Sequence, residues 1–168
     1  MPADALGVGE IEPPAFYGKL PGHGDFVGRG LTAGQEKAID RWLAAWMGRA
    51  RAEWADDFDA RYREAQPWLF GGERLAAIAI PSSDRVGRLF PLLAAVGANV
   101  PLQQLYDTIV EAIAEGWDGD RLLTALCGLG DDTVSQDPSG WFVPDELQPA
   151  MPYPLDGSAE VTVGALLA

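Results

Sequence analysis

Residues 67–97 read PWLFGGERLAAIAIPSSDRVGRLFPLLAAVG, and the fold turns on them. Trp68-Leu69-Phe70, a Gly71-Gly72 turn and then Arg74–Ile80 have the pattern of a β-hairpin, two apolar arms about tight glycines. The second arm is rich in alanine, which strand propensity alone does not favour. Residues 81–91 form a polar loop between apolar runs, and Phe90–Gly97 predicts another buried strand.

Toward the C-terminus, Pro101 opens a helix that runs to about Glu115. Its apolar stripe is Leu102, Leu105, Tyr106, Ile109, Val110 and Ile113, with Asp107 and Glu111 outside it. Asp120 suits the cap of a second helix over Arg121–Leu129. From Gly130 the chain is proline- and acid-rich, which excludes long regular elements, and Val161–Val163 predicts a last short strand. Toward the N-terminus, residues 34–65 are helical. Ile39, Trp42, Leu43, Trp46 and Ala50 make one apolar face, Trp54, Phe58 and Tyr62 continue its spacing, and Gly48 or Asp56-Asp57 leaves room for a break. Residues 14–20 predict a short strand, followed by a loop with glycines at 18, 22, 24, 28 and 30. Residues 1–13 read as a flexible tail and 14–168 as a single domain. Strands and helices interleave, so the class is layered α/β.

Hydrophobic residues make up 48% of the 168, enough for a substantial core, and six tryptophans require burial or an interface. The net charge of -13 is uneven. Residues 1–91 carry 11 basic and 13 acidic side chains, whereas residues 92–168 carry 12 acidic ones and a single base, Arg121. Such a half repels phosphate backbones and anionic headgroups, which argues against nucleic acid or membrane as partner. It also suits solubility, or steering toward a basic protein. The lone Cys127 lies in an apolar run and reads as a small core residue. Met1–Gly7 has no basic start or apolar core of a signal peptide, and no apolar run is long enough for a bilayer, so the expected address is the cytoplasm.

Two loops carry the candidate chemistry. In Gly18–Gly30 the glycines allow close backbone approach, as in anion cradles, but Gly22-His23-Gly24-Asp25-Phe26-Val27-Gly28 fits neither the dinucleotide fingerprint nor a Walker A loop. Gly18, Pro21, Gly24 and Phe26, with Gly87 of the second loop, are read as structural. His23 is the only histidine and, with one distant cysteine, cannot build a zinc site; it reads as hydrogen-bonded within its loop, and no metal or cofactor is expected. In the second loop Ser82, Ser83 and Asp84 suit a turn or cap, and Arg85 and Arg88 lie three apart, able to grip an anion together if the segment is one helical turn. Asp25, Ser82, Ser83, Asp84, Arg85 and Arg88 are therefore the candidate shared polar site. Three roles stay open: a protein-contact face, a small-ligand or phosphate site, or a purely architectural one in which Arg85 pairs with Asp84 or forms a buried pair with Asp25. A serine-hydrolase arrangement would need Ser82 or Ser83 on a Gly-x-Ser-x-Gly turn, which is absent, so no catalytic residue is assigned.

Gly18-Lys19-Leu20-Pro21, Gly24-Asp25-Phe26-Val27, the helical Asp40-Arg41-Trp42-Leu43, Pro67-Trp68-Leu69-Phe70 and the run Ile80-Pro81-Ser82-Ser83-Asp84-Arg85-Val86-Gly87-Arg88-Leu89-Phe90-Pro91-Leu92 occur in this order. Together they resemble the TagF/ImpM family of type VI secretion-associated proteins. Ser139-Gly140-Trp141-Phe142 is similar to a Ser-x-Trp-Trp element, with Phe142 in place of the second tryptophan. The resemblance implies a three-layer α/β/α-like sandwich with a mixed central sheet. It further implies post-translational repression of assembly through a forkhead-associated scaffold, with a link to the kinase/phosphatase branch of control.

Overall fold

The computed structural model describes residues 9–130 and 139–154; Met1–Val8 of the expected tail and the expected strand at Val161–Val163 lie outside the described residues. Strands β1 (Ala15–Gly18) and β2 (Val27–Arg29) are followed by helix α1 (Ala33–Trp54), a 3-10 turn at Ala55–Asp57 and helix α2 (Phe58–Glu64). Then come β3 (Trp68–Gly71), β4 (Leu75–Ile80), β5 (Leu92–Gly97), helices α3 (Leu102–Glu115) and α4 (Gly119–Cys127), and β6 (Gly140–Phe142). The six strands form one sheet in the order β2-β1-β5-β4-β3-β6.

Every pairing in this sheet is antiparallel, where a mixed sheet was expected. The connections explain the difference. The turn between β3 and β4 and the 81–91 loop between β4 and β5 are too short to carry the chain across a face, as parallel pairing requires. The three layers do form. Ala15, Tyr17, Leu75, Ala77, Ala79, Leu93 and Ala95 face α1 and α2, while Phe16, Ala76, Ile78, Ile80, Leu92, Ala94 and Val96 face α3 and α4. The alanines of β4 follow from this double cover. All six residues of the strand are buried, and small side chains leave room for Trp42 and Trp46 on one side and Ile109 on the other.

Local signals set the helix ends. Thr32 caps α1 in a reciprocal box, its hydroxyl accepting from Gln35 N (3.1 Å) while Gln35 Oε1 accepts from Thr32 N (2.9 Å). The break in the long helical region falls at Ala55–Asp57, the site of the Asp56-Asp57 pair, and not at Gly48. Asp118, not Asp120, caps α4 by accepting from Arg121 N (2.8 Å); Asp120 is one residue inside the helix and pairs with Arg29 across to β2 (3.0 Å). Cys127 is exposed, because the buried stripe of α4 runs through Leu122 and Leu126 and leaves the next position turned outward. Residues 9–13 are anchored where a loose tail was expected. Ile11 is buried, and Gln35 and Arg74 donate to the carbonyls of Gly9, Glu10 and Ile11.

The proline-rich end is bound to α1. Four successive carbonyls accept side-chain donors: Met151 from Trp68 Nε1, Pro152 from Trp46 Nε1, Tyr153 from Arg49, and Pro154 from Trp42 Nε1 and Arg49, at 2.7–2.9 Å. Prolines have no N–H for a ladder, so this strap is held by indole donors in place of backbone ones. Trp46→Phe leaves the Pro152 carbonyl without its buried donor and lowers stability by about 1–3 kcal/mol in urea unfolding. Trp54→Phe, at a half-buried indole with no hydrogen bond among the described residues, costs clearly less.

Candidate functional site

The two candidate loops meet at the exits of β1 and β4. Gly18 makes the meeting close: its φ is +145°, and a Cβ there would stand 2.2 Å from the Pro91 carbonyl oxygen. Lys19 follows and turns inward, and beyond it Pro21 and Gly22 sit in a turn closed by His23 N donating to Leu20 O (3.0 Å). A Cβ on Gly22 would lie 2.4 Å from the Trp117 carbonyl, so the first loop is pressed against the link between α3 and α4. Gly24 has open space around its Cβ position; its contribution is its carbonyl.

Asp84 is the centre. Its side chain is fully buried, and four donors converge on it. Oδ1 accepts from the backbone N–H groups of Val86 (3.0 Å) and Arg88 (2.9 Å), and Oδ2 accepts from Lys19 Nζ (3.1 Å) and Arg88 Nε (2.6 Å). Burial alone would raise this carboxyl's pKa. The Arg88 N–H and the Lys19 and Arg88 side chains outweigh burial and hold it well below the usual carboxylate range. Ser82 fixes the same corner: its hydroxyl donates to Lys19 O (2.8 Å), while the Tyr62 hydroxyl donates to Ser82 O and accepts from Ser82 N, both at 2.9 Å. Burial pushes the Tyr62 phenol well above its ordinary range, so it is a fixed neutral bridge.

The two arginines, both exposed, reach across to the first loop. Arg85 donates to Gly22 O (2.6 Å) and Arg88 to Gly24 O (2.7 Å), and the loop backbones join where Arg85 N donates to His23 O (2.7 Å). Guanidiniums engaged on carbonyls are poorly placed to clamp an anion. The expected Asp25–Arg85 pair does not form. Asp25 is exposed and, among the described residues, accepts only from the next residue, Phe26 N (2.8 Å), while Arg85 is engaged on Gly22 O. His23 is hydrogen-bonded, but not within its own loop as expected: its Nε2 accepts from Gly119 N at the start of α4 (2.8 Å). Ser82, His23 and Asp84 thus each serve a different partner and do not line up as nucleophile, base and orienter. Ser83 pairs with Leu89 in an isolated bridge.

The outer side of this knot is apolar and exposed. Val86 is 71% exposed at the tip of the Asp84–Gly87 turn. Phe26 is 43% exposed, stacked on Tyr17 (5.9 Å between centroids), edge-on to Phe90 (5.0 Å) and lying over Lys19 Nζ (5.0 Å). Sequence reasoning missed Lys19 and Tyr62. A lysine beside a strand carries no mark of burial, and Tyr62 falls on an aromatic helical stripe that reads simply as core.

A family model described as the TagF N-terminal domain, type VI secretion system-associated, matches residues 15–126, a span that holds both loops. Among solved structures, PA0076 from Pseudomonas aeruginosa PAO1 is similar, with a TM-score of 0.56 at 25% identity over 90% of this chain and 76% of that one. No curated protein matches the chain.

Asp84→Asn is expected to remove a pH-dependent part of the stability. The folded carboxyl sits below the ordinary value of about 3.9, so the unfolded state binds more protons as pH falls. The contribution is complete above about pH 5 and declines as pH drops below about 4. Urea midpoints of wild type and Asp84→Asn are therefore furthest apart near neutrality and converge toward pH 3, while Asp25→Ala stays within about 0.5 kcal/mol of wild type.

Proposed function

The chain belongs to the TagF N-terminal domain family of type VI secretion system-associated proteins, and we propose that it acts in that system as a cytoplasmic accessory protein that binds a protein partner and holds back assembly by engaging a forkhead-associated scaffold. The observation that carries this reading is the loop tip: Val86 and Phe26 are exposed on a backbone pinned from beneath by Asp84, Lys19, Arg85 and Arg88. Exposed apolar side chains on a rigid turn bind at low entropic cost, because the ordering is complete before the partner arrives. Asp25 and the outer edges of Arg85 and Arg88 flank them and supply the polar rim of a small interface. The link to the kinase/phosphatase branch belongs to the same proposal, since forkhead-associated modules read phosphothreonine.

Among the described residues, no helix is long and apolar enough to cross a membrane and no cluster of His, Cys, Asp and Glu fits a metal ion. The polar groups of the two loops bond one another, which supports a contact face over a small-ligand site.

Arg85 and Arg88 are poor probes of binding, since both also hold the loops together. Val86→Asp is the clean one. In calorimetry against the forkhead-associated scaffold of the same secretion locus, wild type binds saturably. Val86→Asp weakens binding by about tenfold or more, roughly 1.4 kcal/mol, with an unchanged melting temperature. Equal affinity of the two chains, or no binding by wild type at tens of micromolar, overturns the assignment.

A further inference from the structure

Beside the exit of β4 lies a second surface, a groove of about 730 Å3 between α3, the last turn of α2 and the turn at residues 144–148. Its floor includes Ile80, Pro81 and Leu89, and α3 presents Tyr106, Val110 and Ile113 as one wall. These α3 residues belong to the stripe read from the sequence as core, yet Val110 is 39% exposed, and Leu147 on the facing turn is 92% exposed. Helix α3 fully buries Leu105, Ile109 and Ala112, while Tyr106 and Ile113 are half-buried, packing on the core and also lining the groove beside the exposed Val110.

Acids outnumber bases around this apolar floor. Glu64 and Asp145 are the acids among the lining residues and Arg63 is the single base. The one base of the C-terminal half offers no relief, because Arg121 pairs with Glu115 (3.6 Å) and lies over the Trp117 ring (4.2 Å). We infer that the groove docks an amphipathic segment of a partner protein that sets apolar side chains on the floor and lysines or arginines against Glu64 and Asp145. An apolar cleft with an acidic rim suits a helix presenting one apolar face with cations beside it. This surface is distinct from the Val86 tip, and its assignment stands whichever partner the tip takes.

The test uses the full chain and two synthetic helical peptides, one with leucine on one face and lysine on the other, and one with glutamate in place of lysine. Fluorescence anisotropy is expected to show saturable binding of the leucine/lysine peptide and none of its glutamate counterpart. Val110→Asp and Glu64→Lys each weaken it by about tenfold. Glu73→Lys makes the same charge change on the exposed turn before β4, at the other end of that strand from the groove, and leaves the affinity within about twofold. A loss with Glu73→Lys equal to that with Glu64→Lys would mean diffuse attraction to an acidic protein and would overturn the proposal. So would full affinity in Val110→Asp, binding of both peptides, or binding of neither.

Discussion

A buried carboxylate must be given donors wherever the chain places it, and Asp84 obliges the rest of the site to form around that demand. Its two oxygens collect donors from the exit of β1 (Lys19) and from its own turn (Val86 and Arg88). Removing such a charge from water is costly, and the attraction to Lys19 and Arg88 offsets this only while every donor is in place. The pair therefore adds less to net stability than to uniqueness. A path of the Gly18–Gly30 loop that kept Lys19 buried away from Asp84 would leave the lysine without its counter-ion. The close approach at Gly18 and the hydroxyl of Ser82 on Lys19 O serve the same geometry, and Tyr62 carries it to helix α2.

Most of the fold was legible because hydrophobic periodicity reports burial directly. The face of α1 through Ile39, Trp42, Leu43, Trp46 and Ala50 is the one buried, and the hairpin of β3 and β4 pairs as its glycine turn suggested. Strand direction was less legible. Interleaved helices suggest parallel crossovers, and only the shortness of the links on either side of β4 shows that none occurs there. Side chains at element ends were hardest. Asp118 and Asp120 both look like caps, and the choice between them rests on Arg29, ninety-one positions away in sequence from Asp120.

The site was legible as a place but not as a set of bonds. Asp84, Ser82, Arg85 and Arg88 do gather with the glycine loop, as their density of polar and turn-forming residues implied. Which acid meets which base was not legible, because carbonyls compete for arginine and a sequence does not show which carbonyls are left unpaired. Gly22 O and Gly24 O are left without a ladder partner by the glycine loop, and they accept from the arginines that the sequence reading had given to Asp84, Asp25 or an external anion, while Arg88 also keeps Asp84.

The same bonds bear on both proposed surfaces. Ser82 lies under the Val86 tip and also in the groove, and Tyr62, which holds it, stands on the helix whose last turn forms the groove's edge. Val86 and Phe26 stay exposed because the loops that carry them are fixed by polar contacts that cannot be traded for apolar ones without stranding a buried donor or acceptor. An apolar side chain on a mobile loop folds back onto the nearest apolar surface, whereas one on a pinned turn has nowhere to go but into a partner. The polar knot at the β1 and β4 exits is what holds Val86 and Phe26 where the proposed contact needs them.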